Sequence, residues 1–156
     1  FLTEHGISSY GELESKLTAI SARRDTAHAE IKRIESRSAE LALVMKHAGT
    51  YRQLKPLYDR YRKSNDKEKF LRGHESEIIL FEAAARELKR MGAVPLPTTE
   101  SMKTELANLN AEKERLLAEY KAARTEAQEY ETVKQNVDAL LTVPKEQEQQ
   151  RRHELE

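Results

Sequence analysis

The side chains best suited to chemistry lie in one basic, aromatic stretch, residues 46–72. It holds nine Lys and Arg against three Asp and Glu, an excess of six positive charges in a chain whose net charge is zero. Four aromatic rings are interleaved with these cations: Tyr51, Tyr58, Tyr61 and Phe70. Cations neutralise phosphates and release counterions, while aromatic rings stack on unpaired bases. The stretch therefore has the composition of a single-strand binder.

The candidate DNA contacts in this stretch are of two kinds, cations for phosphates and rings for bases. The cations are Arg52, Lys55, Arg60, Arg62, Lys63, Lys67, Lys69 and Arg72, and the stacking rings are Tyr58 and Tyr61. A structural interpretation competes with this one. Tyrosines spaced three and four residues apart commonly pack in a helical core, and Lys and Arg keep its outer face solvated.

The rest of the sequence offers no catalytic or metal-binding motif. The five histidines have no partner at metal-ligand spacing, the five glycines are isolated, and there is no cysteine. We expect no catalytic residue, no metal and no cofactor. No apolar run approaches the roughly 18 residues of a membrane span, so we expect no membrane contact and a cytoplasmic location.

Two stretches with a heptad pattern flank the basic stretch and must position it. A period of 3.5 residues keeps an apolar stripe facing a partner helix along its length. We therefore predict an all-α fold, a long antiparallel two-helix coiled-coil hairpin with a small helical subdomain inserted at its tip. The first set of heptad positions is Leu13, Leu17, Ile20, Arg24, Ala27, Ile31, Ile34, Ser38, Leu41, Met45 and Ala48; the second is Met102, Leu106, Leu109, Lys113, Leu116, Tyr120, Ala123, Ala127, Tyr130, Lys134, Val137 and Leu141.

Local signals set the predicted boundaries. Ser9 should cap the first helix, a kink or a restart is expected between Gly49 and Pro56, and Pro144 should stop the last helix. The predicted segments are a lead-in (1–8), a first coiled-coil helix (9–48), a tip subdomain (49–98), a second coiled-coil helix (99–141) and a polar tail (142–156). Residues 155–156 are typical of a cloning site, and the chain starts at Phe1, so we expect a piece of a longer protein.

Within the predicted tip, Asp66 should cap a short helix that breaks at Gly73. A further helix over residues 74–91 is apolar on nearly all sides, which predicts that it is buried. Thr98 or Thr99 should cap the last helix.

If the two heptad stretches pair antiparallel, the predicted register of the two helices places Leu13 opposite Leu141.

Short strings along residues 5–141 resemble, in the same order, the C-terminal region of relaxases, the mobilisation nucleases of conjugative and mobilisable elements in Gram-positive bacteria. The strings are His5–Tyr10, Tyr61–Lys63, Phe70–Leu71, His74–Glu75, Ile78–Leu80, Ala83–Ala85, Leu96–Thr98, Ser101 and Val133–Asp138. The resemblance implies a nuclease domain elsewhere in the full-length protein, with a tyrosine nucleophile and a metal held by histidines. No catalytic residue is carried over, because none of these strings is a catalytic motif.

Three functions stay open from the sequence. The resemblance implies an accessory domain that binds relaxosome proteins or the coupling protein of the transfer machinery. The basic stretch favours an auxiliary contact with single- or double-stranded DNA. The third is a structural spacer or homodimerisation element, which exposed apolar residues beside the heptad positions, such as Leu43, Val44 and Leu117, would favour.

Overall fold

The computed structural model describes residues 1–155, with the backbone alone for residues 143–150, 153 and 154. It confirms the all-α class: over the described residues there are three helices and no strand. They are α1 (Tyr10–Lys63), α2 (Lys67–Arg90) and α3 (Thr99–Leu155). Glu156, the second residue of the predicted cloning pair, lies outside the described residues.

Each helix begins at a predicted cap. The side chains of Ser9, Asp66 and Thr98 each accept a hydrogen bond from the backbone N–H three residues further on, at 3.2, 3.2 and 3.1 Å. These bonds satisfy donors that have no partner within the first turn of a helix. The three starts could be predicted because capping depends on a local exchange of hydrogen bonds.

The structure shows no restart of α1 between residues 49 and 56, and it corrects the predicted stop of the last helix at Pro144. Helix α1 continues through Gly49 and Pro56, and α3 continues past the predicted end at Leu141 to Leu155. A proline inside a helix costs about 3 kcal/mol, which tertiary packing can offset. Tyr51 and Tyr58, on either side of Pro56, both pack on the Phe81 ring of α2 and hold α1 helical there.

The predicted break at Gly73 falls next to a kink. Helix α2 continues through Gly73, but the next residue, His74, has non-helical backbone angles, φ −137° and ψ 25°. The helix ends at Arg90, and Gly92, two residues later, has a positive φ of 70° that lets the backbone turn back. There the N–H of Ala93 donates to the Leu88 carbonyl at 2.9 Å, as in a glycine-terminated helix.

The chain divides into two compact units. The terminal unit comprises Phe1–Lys32 and Lys113–Glu156, and the middle unit comprises Arg33–Glu112. Helices α1 and α3 contribute to both units, whereas α2 belongs to the middle unit alone.

In the terminal unit, α1 and α3 run antiparallel around an apolar core. The core residues are Ile7, Leu13, Ile20, Ala127 and Tyr130, with Tyr10, Leu17, Val133 and Val137 packed against them. Ion pairs flank the core, Glu14 with Lys134 at 3.9 Å and Arg23 with Glu126 at 3.2 Å.

The predicted pairing of Leu13 with Leu141 is wrong. Leu13 is buried in a cluster that includes Val137, one helical turn earlier in α3, and Leu141 is 57% exposed. The two helices therefore pair with an offset from the prediction. Because apolar residues recur every three or four positions, such a slip still brings apolar side chains together.

The middle unit packs α2 against parts of α1 and α3. Its buried side chains are Ile34, Leu41, Val44 and Ala48 of α1, Ile78, Phe81, Ala84 and Leu88 of α2, and Met102 and Leu109 of α3. Val44, predicted as an exposed apolar residue, is thus in the core. Leu43 is 47% exposed and Leu117, in the terminal unit, is 37% exposed.

Helix α2 is amphipathic, so the prediction of a helix buried on nearly all sides is wrong. Its buried residues recur every three or four positions, while Ile79 and Leu80 are 53% and 55% exposed. The apolar run in the sequence is broader than the stripe that a helix on the surface of a small unit can bury.

Candidate nucleic-acid interface

The ten predicted contact residues all lie in the middle unit. Seven of them occupy the last turns of α1, and three occupy the first turns of α2. The structure separates them by environment, because some face a groove between α1 and α2, some are held by other parts of the unit, and some lie elsewhere on its surface.

The aromatic residues of this region form a stack of three rings. Tyr51 and Tyr58 lie two turns apart on α1, and both stack on Phe81 of α2, at centroid distances of 4.8 and 4.3 Å and interplanar angles of 26°. The Phe81 side chain is 5% exposed. Offset stacking of this kind contributes beyond burial alone. The face of Tyr58 that meets Phe81 is therefore occupied, as the structural interpretation of the tyrosines predicted.

A second, looser cluster surrounds Phe70. Its ring lies 6.0 Å from that of Tyr61 and 4.7 Å from that of His74. The guanidinium of Arg60 lies 6.0 Å from the Phe70 centroid, at the outer limit of a cation–π contact. Tyr61 is half-buried, and its other ring neighbour is Tyr58 at 5.8 Å.

The groove between α1 and α2 has a volume of about 860 Å³. The aromatic stack lines it together with Ala85, and charged side chains of both helices complete its lining. The cations are Lys55, Arg62 and Lys63 of α1 and Arg86 and Lys89 of α2; the acids are Asp59 of α1 and Glu82 of α2. Five positive charges against two negative ones give the groove a positive potential, which a cleft with apolar walls concentrates.

Of the predicted cations, Arg52 and Lys55 on α1 already have hydrogen-bond or ion-pair partners, and Arg72 on α2 donates to the Glu68 carbonyl at 3.4 Å. Arg52 donates to the Pro97 carbonyl and, at 2.8 Å, to the Thr99 hydroxyl, so it fixes the start of α3. Lys55 pairs with Asp59 one turn along α1, at 3.1 Å. Both interactions reduce the positive charge that these two residues offer to a ligand.

The other four groove cations are Arg62, Lys63, Arg86 and Lys89. Within the described part of the chain, none of them donates a side-chain hydrogen bond or forms an ion pair, and all four are exposed. Glu87, beside Arg86, is instead engaged by Arg90 at 2.7 Å, and this hydrogen bond lowers the pKa of Glu87. Four unpaired cations around one concave surface repel one another, and a bound polyanion would relieve that repulsion.

Three of the predicted contacts, Lys67, Lys69 and Arg72, are exposed on the first turns of α2 and do not line the groove. The structure thus brings together Lys55, Tyr58, Arg62 and Lys63 of the predicted set.

Arg86 and Lys89 lie outside the basic stretch, so charge summed along one continuous stretch does not identify them. The signal that could have found them is helical spacing. Glu82, Arg86 and Lys89 recur every three or four positions, on the side of α2 that adjoins Phe81.

Among the described residues, no three His, Asp or Glu side chains come together as metal ligands would. Within the same part of the chain, no helix has an apolar stretch of the length that crossing a bilayer demands. No family model, no curated protein and no solved structure matches the chain. Its function is therefore argued from the groove and from the sequence.

Proposed function

We propose that this chain is a non-catalytic helical accessory domain of a relaxase, acting in conjugative DNA mobilisation in the cytoplasm, and that it makes an auxiliary contact with DNA through the middle unit. The resemblance of its short strings to relaxase C-terminal regions supports the first part. The groove supports the second, since Arg62, Lys63, Arg86 and Lys89 surround it without partners among the described residues. That last observation carries the proposed DNA contact.

The proposal includes an architecture, an antiparallel coiled-coil hairpin that carries a helical subdomain at its tip. Within each unit, the contacts between α1 and α3 support it. Arg23 pairs with Glu126 in the terminal unit, and Arg37 pairs with Glu105 in the middle unit. All but one of the predicted heptad positions are buried or half-buried, the exception being Leu141. A domain of this kind would present its DNA contact to the relaxosome or to the coupling protein.

The test is fluorescence anisotropy of the whole chain with labelled single- and double-stranded DNA, at about 50 and 200 mM salt. A variant with the four groove cations Arg62, Lys63, Arg86 and Lys89 changed to glutamine should lose salt-sensitive binding. The matched control removes four exposed cations of the terminal unit, with Lys121, Arg124, Arg151 and Arg152 changed to glutamine. No binding by the wild type at low salt, or equal losses in both variants, would refute the proposed contact.

A second function, a structural spacer or homodimerisation element without DNA contact, is favoured by a different observation. Ile79 and Leu80 are adjacent, apolar and more than half exposed on α2. Such residues are typical of the centre of a protein–protein contact.

Sedimentation equilibrium separates this second function from the first. If the apolar pair holds two copies together, the wild type should sediment as a dimer, and an Ile79→Ser, Leu80→Ser variant should sediment as a monomer. A wild type that stays monomeric up to about 100 µM, a concentration at which a moderate dimer would form, would exclude homodimerisation.

A further inference from the structure

We infer that the α1–α2 groove binds one single strand of nucleic acid along its phosphates, with Arg86 and Lys89 of α2 acting opposite Arg62 and Lys63 of α1. This inference rests on the proposed DNA contact and makes it specific. It specifies that the ligand is single-stranded, and it assigns phosphate contacts to two residues outside the basic stretch.

The charges of the groove indicate a polyanion. Its four cations without partners come from two helices, so the positive charge lines both sides of a concave surface. A flexible strand with a phosphate at every nucleotide can satisfy several such cations at once, which a single carboxylate cannot. The partly exposed Tyr51 and Tyr58 add hydroxyl groups that have no hydrogen bond within the described residues. Such hydroxyls commonly donate to phosphate oxygens.

The shape of the groove favours a single strand over a duplex. The groove is concave and lies between two packed helices, and both aromatic and charged side chains line it. The bases of a duplex are stacked on one another, so a duplex can present only its phosphates to such a surface. An unpaired strand can also bring its bases to the edges of Tyr51 and Tyr58.

The same residues distinguish nucleic acid from an acidic helix of a protein partner. An amphipathic helix binds through an apolar stripe that fills a hydrophobic groove. Here the apolar lining comes from Ala85 and from three rings that already stack on one another, and charged residues form the rest. The groove therefore offers more to a charged strand than to the apolar face of a helix.

The experiment measures the anisotropy of a labelled 20-nucleotide oligo(dT), of a duplex of equal length and of a labelled polyglutamate peptide with the whole chain. The slope of log affinity against log salt is about −0.7 for each phosphate contacted on a single strand. Four contacts predict a slope of about −2.8, which is about a 50-fold loss between 50 and 200 mM salt. We expect the single strand to bind at least about fivefold more tightly than the duplex, because its unpaired bases can contact the tyrosine edges in addition to the phosphate contacts.

The variant that tests α2 is Arg86→Gln, Lys89→Gln, and the matched control is Lys67→Gln, Lys69→Gln, which removes the same charge from the same helix outside the groove. The α2 variant should have a slope of about −1.4, so its affinity for the single strand should fall only about sevenfold over the same salt range. The control should keep the wild-type slope. Circular dichroism should show the same helix content in both variants, since all four residues are exposed.

Two classes of result would overturn the inference while leaving the proposed function in place. The first is an equal loss of affinity in the two variants, or an unchanged salt slope in the α2 variant. Either result would indicate that the DNA contact is distributed over the basic stretch. The second is a duplex that binds as tightly as the single strand. Tighter binding of polyglutamate than of DNA would also overturn it and would identify an acidic peptide as the ligand. Failure of every DNA to bind at low salt would overturn both the inference and the proposed DNA contact.

Discussion

The terminal and middle units differ in what their charged residues do. In the terminal unit, Lys and Arg number 12 against 15 Asp and Glu, a net charge of −3, and pairs such as Arg23 with Glu126 link its two helices. In the middle unit the numbers are 15 against 12, a net charge of +3. Pairs such as Arg37 with Glu105 join α1 and α3 there too, but the α1–α2 groove leaves four cations without partners among the described residues.

This difference separates charged residues that contribute to helix packing from charged residues that are available to a ligand. Charges that pair across α1 and α3 fix the packing of two long helices. Charges left unpaired around a concave surface contribute little to stability and are available to a ligand. The comparison predicts that substitutions in the unpaired group weaken DNA binding, whereas substitutions in the paired group change the free energy of unfolding only slightly and leave DNA affinity unchanged.

The largest effects should come from the two apolar cores. Phe81→Ala in the middle unit removes the central ring of the aromatic stack and should lower the free energy of unfolding by about 3–5 kcal/mol. Leu13→Ala in the terminal unit should lower it by about 2–5 kcal/mol. Urea unfolding followed by circular dichroism measures both. Native amide exchange should accelerate mainly around residues 51–58 for Phe81→Ala, and exchange confined to the terminal unit would contradict the assigned packing.

The next effect separates affinity from stability. Arg62→Gln with Lys63→Gln should weaken single-strand binding at 50 mM salt by about tenfold, because two phosphate contacts are lost. The free energy of unfolding should change by no more than about 0.5 kcal/mol, as is usual for exposed residues without partners. Anisotropy and urea unfolding on one preparation measure the two quantities. A large loss of stability with unchanged affinity would reverse the roles assigned to these residues.

A smaller effect is expected at the paired charges. Arg37 donates to Glu105 at 2.7 and 3.2 Å, with both side chains about 40% exposed. A double-mutant cycle with Arg37→Gln and Glu105→Gln should give a coupling free energy of about 0.5 kcal/mol, since solvent screens the pair. DNA affinity should be unchanged. A loss of affinity comparable to that of the groove variants would remove the distinction between the two groups of charges.

The smallest effect concerns pH in the terminal unit. The Tyr10 hydroxyl donates to Asp138 at 2.6 Å, and this hydrogen bond raises the pKa of Tyr10 to about 12. Because the folded pKa lies above the unfolded value of about 10, the stabilisation is fully present below pH 10 and is lost as pH rises toward 12. Absorbance at 295 nm should show tyrosine titration near pH 12, and its amplitude should fall by one tyrosine in Tyr10→Phe; burial also raises the pKa of Tyr130, so some high-pH titration should remain. An unchanged amplitude in Tyr10→Phe would contradict the assignment.

Much of the helical framework could be predicted from the sequence because its signals are local. Caps at Ser9, Asp66 and Thr98 depend on residues one turn apart, and heptad spacing identifies side chains such as Ile34 and Leu116 that are buried in the structure. The pairing of α1 with α3 could not be predicted, since a slip of one turn leaves Leu13 in apolar surroundings.

The candidate site was predictable only in part. Charge along the sequence identified Arg62 and Lys63 but also Arg52, which is bound to Pro97 and Thr99 at the start of α3. Arg86 and Lys89 lie more than 20 residues further along the chain, and only the packing of Phe81 between Tyr51 and Tyr58 brings them to the same groove. The persistence of α1 through Pro56 depends on the same packing, which no local pattern encodes.

The most direct test of the central claim is a map of the DNA contact on the protein. Amide ¹H–¹⁵N spectra of the whole chain, titrated with oligo(dT) at about 50 mM salt, report the affected residues without any substitution. If the groove binds the strand, shifts should be concentrated at residues 51–63 and 81–89, and residues 10–32 and 113–142 should be unaffected. Shifts concentrated in the terminal unit, or unchanged spectra at saturating DNA, would contradict binding in the groove.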